Sequence, residues 1–149
     1  MNIHLKQLEF NDLELILAWR LNPDVHRYFK TSSKKITWEE HIDWYNSRKN
    51  RIDWIVIYEN RKVGLVNINN LDSATPEIGI RIGETSLWGK GVGAESIKLA
   101  IEWLVVGGYK EACATVSKKN TYSKNLWNKL GFKEEDLDEE FSIYKKRIG

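Results

Sequence analysis

Three glycines, Gly89, Gly91 and Gly93, fall at every second position of the stretch SLWGKGVGAE, residues 86–95. A strand-like run, EIGIRIG, precedes them and a helical pattern, AESIKLAIEWL, follows. Glycine at such a junction costs backbone entropy on folding, which makes sense where something must approach the backbone closely. The first amides of a helix lack intrahelical partners and carry partial positive charge. Glycines there let a phosphate reach those donors, and Lys90 adds a point charge. Three phosphate-binding readings compete with a ligand-free turn. The P-loop pattern G-x-x-x-x-G-K-S/T is absent. The dinucleotide pattern G-x-G-x-x-G fails at Ala94, and the next apolar run ends in Ser117 where an acid is required. The third reading is a pyrophosphate held on the backbone of Gly89, Lys90, Gly91, Val92, Gly93 and Ala94 at the start of the helix.

The elements that must position this loop follow from hydrophobic period and cap signals. Residues 2–9 alternate loosely, as an edge strand does. Asn11 with Glu14 marks a helix start, and LNPD ends that helix after about Arg20. Thr37 with Glu40 forms a second capping pair, opening a helix to about Lys49. DWIVIY and KVGLVNIN are apolar strands joined by ENR, a hairpin signal. PEIGIRI is a further strand before the glycines. Beyond them Ile97, Ala100, Ile101, Leu104 and Val105 fall at helical spacing. EACATV, SKNLWNKLGF and EFSIYKKR then read as strand, short helix and strand, with Gly131 closing the helix. The charge run 133–140, KEEDLDEE, reads as a solvated turn. The expected fold is α/β or α+β, with antiparallel strands first and a crossover pair around the glycine-led helix.

Composition narrows the classes. The chain has 149 residues, 30% charged and 42% hydrophobic, which suits one domain, 1–149, with a full core. No apolar run is long enough to span a membrane, and the N-terminus lacks a signal-peptide layout. The net charge of +2 gives no reason to expect nucleic acid. One cysteine, Cys113, excludes an internal disulfide and a cysteine-cluster zinc site. It reads as a buried core residue in a reducing, cytoplasmic setting. No His/Asp/Glu cluster shows metal-ligand spacing, so no metal is expected.

A second stretch, NTYSKNLWNKLGF, runs from Asn120 to Phe132. Together with WGKGVGAE it strongly resembles the GNAT superfamily of acetyl-CoA-dependent N-acetyltransferases, over essentially the whole chain. The resemblance implies a mixed, mostly antiparallel central sheet of about six or seven strands flanked by about four helices. It implies that an R/Q-x-x-G-x-G/A loop binds the pyrophosphate of CoA, here with Gly91 and Gly93 in place. An N-x-x-A-x-x-x-Y-x-x-x-G-F segment flanks the pantetheine arm, here with Asn120, Ser123, Gly131 and Phe132. Two positions depart. Trp88 stands where the family usually has Arg or Gln, a subgroup mark shared by branches that carry WGKG. Trp127 stands where the family often has a tyrosine that protonates the departing thiolate. An indole N–H only donates a hydrogen bond, so the usual acid cannot be carried over. Tyr144 and Tyr122 are the possible substitutes.

The chemistry implied is direct transfer of an acetyl group to a primary amine. Free amines are mostly protonated near neutrality, so a base must take a proton, directly or through a water. The developing oxyanion needs a preorganised donor, which the family takes from the backbone of the strand before the loop, here around Ile80 to Ile82. Glu77 on that strand is the first candidate base, against the plainer reading of a surface strand glutamate. Asn67 and Asn69 on the neighbouring strand are placed to orient a water.

The N-terminal third is expected to choose the acceptor. At helical spacing Trp38, His41, Ile42 and Tyr45 share one face, and Trp44 and Arg48 flank His41. With Arg20, His26 and Arg27 they could form a cleft that stacks on and hydrogen-bonds a polar acceptor. The plainer alternative makes Trp19 and Trp38 core packing and His41 a structural histidine. The pattern WRLNPDVHRYF…ITWEEHIDWY is similar to GNAT members that acetylate nucleotide-linked amino sugars, in pathways to pseudaminic-acid-type sugars. The ribosomal-protein alanine acetyltransferases share the WGKG loop. The expected acceptor is therefore a small-molecule amine, first an amino sugar, with a protein N-terminus, a polyamine or an antibiotic amine as alternatives. A non-catalytic acyl-CoA-binding module is the alternative of a different class. The protein is expected to act as a monomer or homodimer.

Overall fold

The computed structural model describes residues 1–26 and 35–149. The chain opens with strand β1 (Ile3–Gln7), helix α1 (Leu13–Leu21) and the one-turn helix α2 (Pro23–His26). Helix α3 (Trp38–Asn46) leads into three consecutive strands, β2 (Ile52–Tyr58), β3 (Arg61–Asn69) and β4 (Glu77–Ile82). Helix α4 (Val92–Val106), strand β5 (Glu111–Ser117), helix α5 (Thr121–Lys129), β6 (Lys133–Asp136) and β7 (Phe141–Arg147) complete the order. The strands form one sheet in the order β1-β2-β3-β4-β5-β7-β6. Every neighbouring pair is antiparallel except β4 with β5, which is parallel and is linked through α4. This is the mixed, mostly antiparallel architecture expected, with seven strands and, against about four expected, five α-helices among the described residues.

Period-2 alternation sends residues to two cores, one on each face of the sheet. On one face, Val66 and Ile68 of β3, Ile78 and Ile82 of β4, and Ala112, Ala114 and Val116 of β5 pack under α4 and α5. Helix α4 meets them with Val92, Ile97, Ala100 and Leu104, all buried at helical spacing. On the other face, Ile55, Ile57 and Leu65 pack against Ile16 and Trp19 of α1 and Val25 of α2. Fully burying one such aliphatic side chain is worth about 1.5–3 kcal/mol.

Several local expectations change. The capping box before α1 uses Glu9 and Asp12 in place of Asn11 and Glu14. Asp12 is buried and is held by the Glu9 amide at 2.9 Å, Lys62 at 2.6 Å and Lys6 at 3.3 Å, so its carboxylate fixes where the helix starts. The LNPD break holds a helical turn of its own, because Pro23 takes the first helical position, where no N–H is needed. The Thr37–Glu40 box opens α3 as expected, although the helix ends at Asn46. The first half of the charge run 133–140 is not a turn but the edge strand β6. Its four residues are all exposed, so no apolar alternation marks them, and backbone pairing with β7 alone defines the strand. Cys113 is half-buried and donates its thiol to the Thr75 carbonyl at 3.6 Å.

Beyond β4 the chain passes directly beneath α1. A Cβ at Gly83 would lie 2.2 Å from Trp19 Nε1 and 2.3 Å from two ring carbons. Trp19 is itself buried, at 7% exposed. Gly83→Ala should therefore lower stability by about 1–3 kcal/mol, the usual cost of overpacking. Urea unfolding of the two proteins checks it; an unchanged midpoint would show that the indole swings aside freely.

Candidate active site

Strands β4 and β5 share a single parallel residue pair, Glu77 with Cys113, and then diverge. Strand β4 stays paired with β3 as far as Ile82. One backbone edge of residues 78–82 therefore faces a gap. A cavity of about 400 Å³ fills that gap, a size suited to a small ligand. Ile80 and Ile82 form part of its wall.

One end of the cavity is made by the starts of α4 and α5. Trp88 and Gly93 reach its wall. Gly89, Lys90 and Gly91 link them, Val92 is buried beneath and Ala94 is half-buried. Gly89 has φ +78° and Gly91 φ +87°, the left-handed region that disfavours a side chain. A Cβ at Gly89 would meet nothing within 4 Å, and one at Gly91 only the Met1 methyl at 3.5 Å. Space thus lies open over a backbone that glycine keeps bare. The first bond of α4 runs from Glu95 N–H to Gly91 C=O at 3.1 Å, so the amides of Val92, Gly93 and Ala94 precede the intrahelical ladder. These features fit a phosphate-bearing ligand.

Helix α5 supplies Asn120, Ser123 and Trp127 to the same wall. The Asn120 carboxamide caps the helix by accepting the Ser123 N–H at 3.1 Å. Trp127 is 2% exposed and meets Phe132 edge to face at 4.8 Å between centroids. Tyr144 does not join this group. It lies opposite Ala114, fully buried in the core under α4 and α5, and it forms no part of the cavity wall. Burial, with Glu134 beside it, pushes its phenol above the ordinary tyrosine value. Tyr122 does reach the cavity, at the glycine loop, where its hydroxyl accepts the Gly89 N–H at 3.1 Å.

Mid-cavity, Glu77 projects from β4, and its Oε2 accepts a short hydrogen bond from the Thr115 hydroxyl. Asn67 lies over Gly79, where a Cβ would come within 2.6 Å of its Oδ1. The missing side chain at Gly79 therefore makes room for the amide. Asn69 also lines the cavity, and its Oδ1 is buried without a partner among the described residues. A carboxylate and two amides thus converge on one polar stretch of wall.

The other end is cationic. Arg20, Arg51 and Arg81 line it together with Trp44. Arg51 is gripped by the buried Asp53 through Nη2–Oδ1 at 2.7 Å and Nε–Oδ2 at 3.0 Å, and Arg48 meets the same carboxylate at 3.0 Å. The guanidinium carbons of Arg20 and Arg51 lie 5.5 and 5.4 Å from the Trp44 ring centre, within cation–π range. Burial and then Arg51 lower the pKa of Arg20, opposed by Glu40. Burial and then Arg20 bring Arg81 down to about 10. These guanidiniums stay charged at neutral pH and oppose one another.

His41 is not a cavity residue, which corrects its expected role as a substrate contact. It is fully buried, with its ring stacked on Trp44 at 5.5 Å. Its Nε2 lies 2.8 Å from the Leu13 carbonyl and its Nδ1 3.0 Å from Arg20 Nη1. A carbonyl only accepts, so Nε2 carries the proton and Nδ1 accepts from the arginine. His41 acts as a neutral brace for Arg20. Trp38 is 42% exposed, sits 6.0 Å from the His41 ring and does not reach the cavity. The His26 side chain and Arg27 lie outside the described residues. Sequence reasoning missed Arg51, Arg81 and Thr115. A lone arginine inside the apolar strand EIGIRI was the available signal for Arg81. Thr115 lines the cavity beside Ser117, on the half-buried face of β5 between the buried Ala114 and Val116.

The profile of the acetyltransferase (GNAT) domain family matches residues 2–133. The chain belongs to that family. It is 47% identical over 135 residues to an uncharacterized protein of Methanocaldococcus jannaschii, covering 88% of this chain and spanning 28% of that protein's length. It is 30% identical over 142 residues to acetyltransferase PseH of Campylobacter jejuni, covering 91% of this chain and 85% of PseH. The crystal structure of a Methanocaldococcus jannaschii domain superposes with a TM-score of 0.94 at 43% identity, over 98% of each chain. Among the described residues no group of three or more His, Cys, Asp or Glu side chains is placed to hold a metal ion, and no helix is long and apolar enough to cross a membrane.

The brace gives a pH dependence. Burial, and secondarily Arg20, lower the His41 pKa below 6.5 against the opposing bond to Leu13. The folded protein then binds fewer protons than the unfolded chain as pH falls through that value. The histidine's contribution is complete above the unfolded pKa and is lost as pH falls toward the folded one. Urea midpoints measured from about pH 7.5 to about pH 5 should fall more steeply in the wild type than in His41→Gln. Parallel slopes would show that the ring carries its proton without disturbing Arg20.

Proposed function

We propose that the protein transfers the acetyl group of acetyl-CoA to the primary amine of an anionic small molecule, a nucleotide-linked amino sugar. The observation that carries the acceptor class is the set of mutually repelling guanidiniums on the acceptor wall, Arg20, Arg51 and Arg81. Like charges collected in a partly dry cleft favour an anion, and guanidinium suits phosphate. A polyamine or an aminoglycoside would bring further positive charge to the same wall. The N-terminal sequence pattern and the similarity to PseH support the same reading.

The glycine loop and the start of α4 hold the pyrophosphate, and the open edge of β4 with Ser123 and Trp127 takes the pantetheine arm. Acetyl-CoA supplies an activated thioester carbonyl. Glu77 accepts the amine proton, with Thr115 fixing one carboxylate oxygen and Asn67 and Asn69 beside it to seat a water. Trp127 gives no proton, and Tyr144 is turned into the core, so the thiolate leaves without a tyrosine at the usual place.

Thiol release should be measured with acetyl-CoA against nucleotide amino sugars, N-terminal peptides and polyamines. Nucleotide amino sugars should turn over best, and a preference for polyamines would overturn the acceptor class. Arg51→Ala should raise the acceptor KM about tenfold to a hundredfold, the loss of a charged hydrogen bond, while leaving acetyl-CoA affinity unchanged. Glu77→Gln should lower kcat about a hundredfold or more. Activity close to wild type in that variant would remove Glu77 from the role of base.

A further inference from the structure

Trp88 stands where the family that the sequence resembles usually has Arg or Gln. Its single N–H is already spent on the Ile82 carbonyl at 3.0 Å, so the indole has no donor left for a ligand. Its ring instead stacks on Tyr122, with centroids 5.8 Å apart and planes 17° from parallel. Tyr122 belongs to the first turn of α5 and reaches across to the loop, where its oxygen accepts the Gly89 N–H at 3.1 Å. A phenol that accepts one hydrogen bond still has its own proton to give. Among the described residues no protein acceptor takes that proton. Trp88, Gly93, Asn120 and Tyr122 all line the same cavity, and the space over Gly89 is open.

We propose that the Tyr122 hydroxyl is a ligand of the CoA pyrophosphate. It receives the Gly89 N–H and donates its own proton to a phosphate oxygen, supplying the side-chain donor that Trp88 withholds. The Trp88 ring holds the phenol in place by stacking. No bond is made or broken, and the proton stays on the phenol. The proposal rests on the acetyl-CoA reading above and adds a residue to it that lies on a different helix from the glycine loop.

Tyr122→Phe isolates the hydroxyl, because the phenyl ring keeps the stack on Trp88 and the side chain is 38% exposed. Calorimetric titration with CoA should give a dissociation constant about tenfold to a hundredfold higher in the variant, the range for a hydrogen bond to a charged group. S-acetyl-pantetheine, which lacks the pyrophosphate, should bind both proteins equally. Thermal unfolding of the ligand-free proteins should show the variant folded, and Trp88→Phe, which spares the hydroxyl, should weaken CoA less than Tyr122→Phe does. Equal CoA affinity in wild type and Tyr122→Phe would overturn the proposal and reduce the hydroxyl to a tie between loop and helix. Tighter binding by the variant would overturn it too, by showing that the hydroxyl sits where the phosphate must go. A wild-type protein that binds no CoA would overturn the acetyl-CoA reading itself, a result distinct from equal, tight binding by both.

Discussion

The site exists because two parallel strands pair once and then part. A fully paired β4–β5 ladder would satisfy the backbone of both strands and close the sheet over the place where ligands must lie. With Glu77 and Cys113 as the only parallel pair between them, the backbone groups on one edge of β4 must find other partners. The Trp88 indole takes the Ile82 carbonyl. The others face the cavity, where an extended ligand can complete them as a strand would. The divergence also sets the positions of the two helix starts. Helix α4 leaves β4 at one side of the gap and α5 follows β5 at the other. Gly93 lies close enough to α5 that a Cβ there would touch Leu126 at 3.5 Å.

At the arginine-lined end of the cavity the dependence runs through buried polar groups. Holding a guanidinium at a cleft wall against its like-charged neighbours is unfavourable unless something fixes it from behind. Asp53 does so for Arg51, and neutral His41 does so for Arg20. Both anchors are fully or nearly fully buried. A buried carboxylate bonded to two guanidiniums offsets part of its own desolvation, and removing one partner would leave an uncompensated charge. His41 achieves its bracing without charge. Its tautomer is dictated by a backbone carbonyl of α1, the same helix that carries Arg20. Trp44 adds a π-face shared by the guanidiniums and the imidazole. This wall therefore joins α1, α3 and the residues at the start of β2, with Arg81 added from β4.

Much of the fold was legible because its signals are local. The Thr37–Glu40 box and the glycine-led helix are contained in a few residues each, and they stand where the sequence placed them. What escaped depends on distant partners. Asp12 outranks Asn11 at the first helix because Lys62, fifty positions away, reaches it. Strand β6 carries no apolar alternation and is defined only by β7. In the site, helical spacing correctly grouped His41 with Trp44 but could not tell which side faced ligand. The face that looks richest in chemistry turns its histidine inward and leaves Trp38 in solvent. Tyr144 alternates along β7 onto the core face, a sign that sequence alone could not fix without the register to β5. Arg51 and Arg81 become neighbours of Arg20 only once three separate elements meet.

The two halves of the cavity differ in what they are made of, and this decides where identity can be read. The half proposed to take acetyl-CoA is mainly backbone, namely the first amides of α4 and a strand edge. Backbone groups are present whatever the side chain, so this half constrains sequence chiefly at the few positions where a Cβ would intrude or φ is positive. That is why a short glycine pattern suffices to recognise it, and why Trp can replace a polar residue at position 88 without closing the cradle. The half proposed to take the acceptor is built from side chains, with Arg20 held by His41 and Arg51 by Asp53. Changing one guanidinium there alters charge, donor geometry and the brace behind it together. In the proposed reading, acceptor choice rests on Arg20, Arg51 and Arg81, with His41 behind the first and Asp53 behind the second.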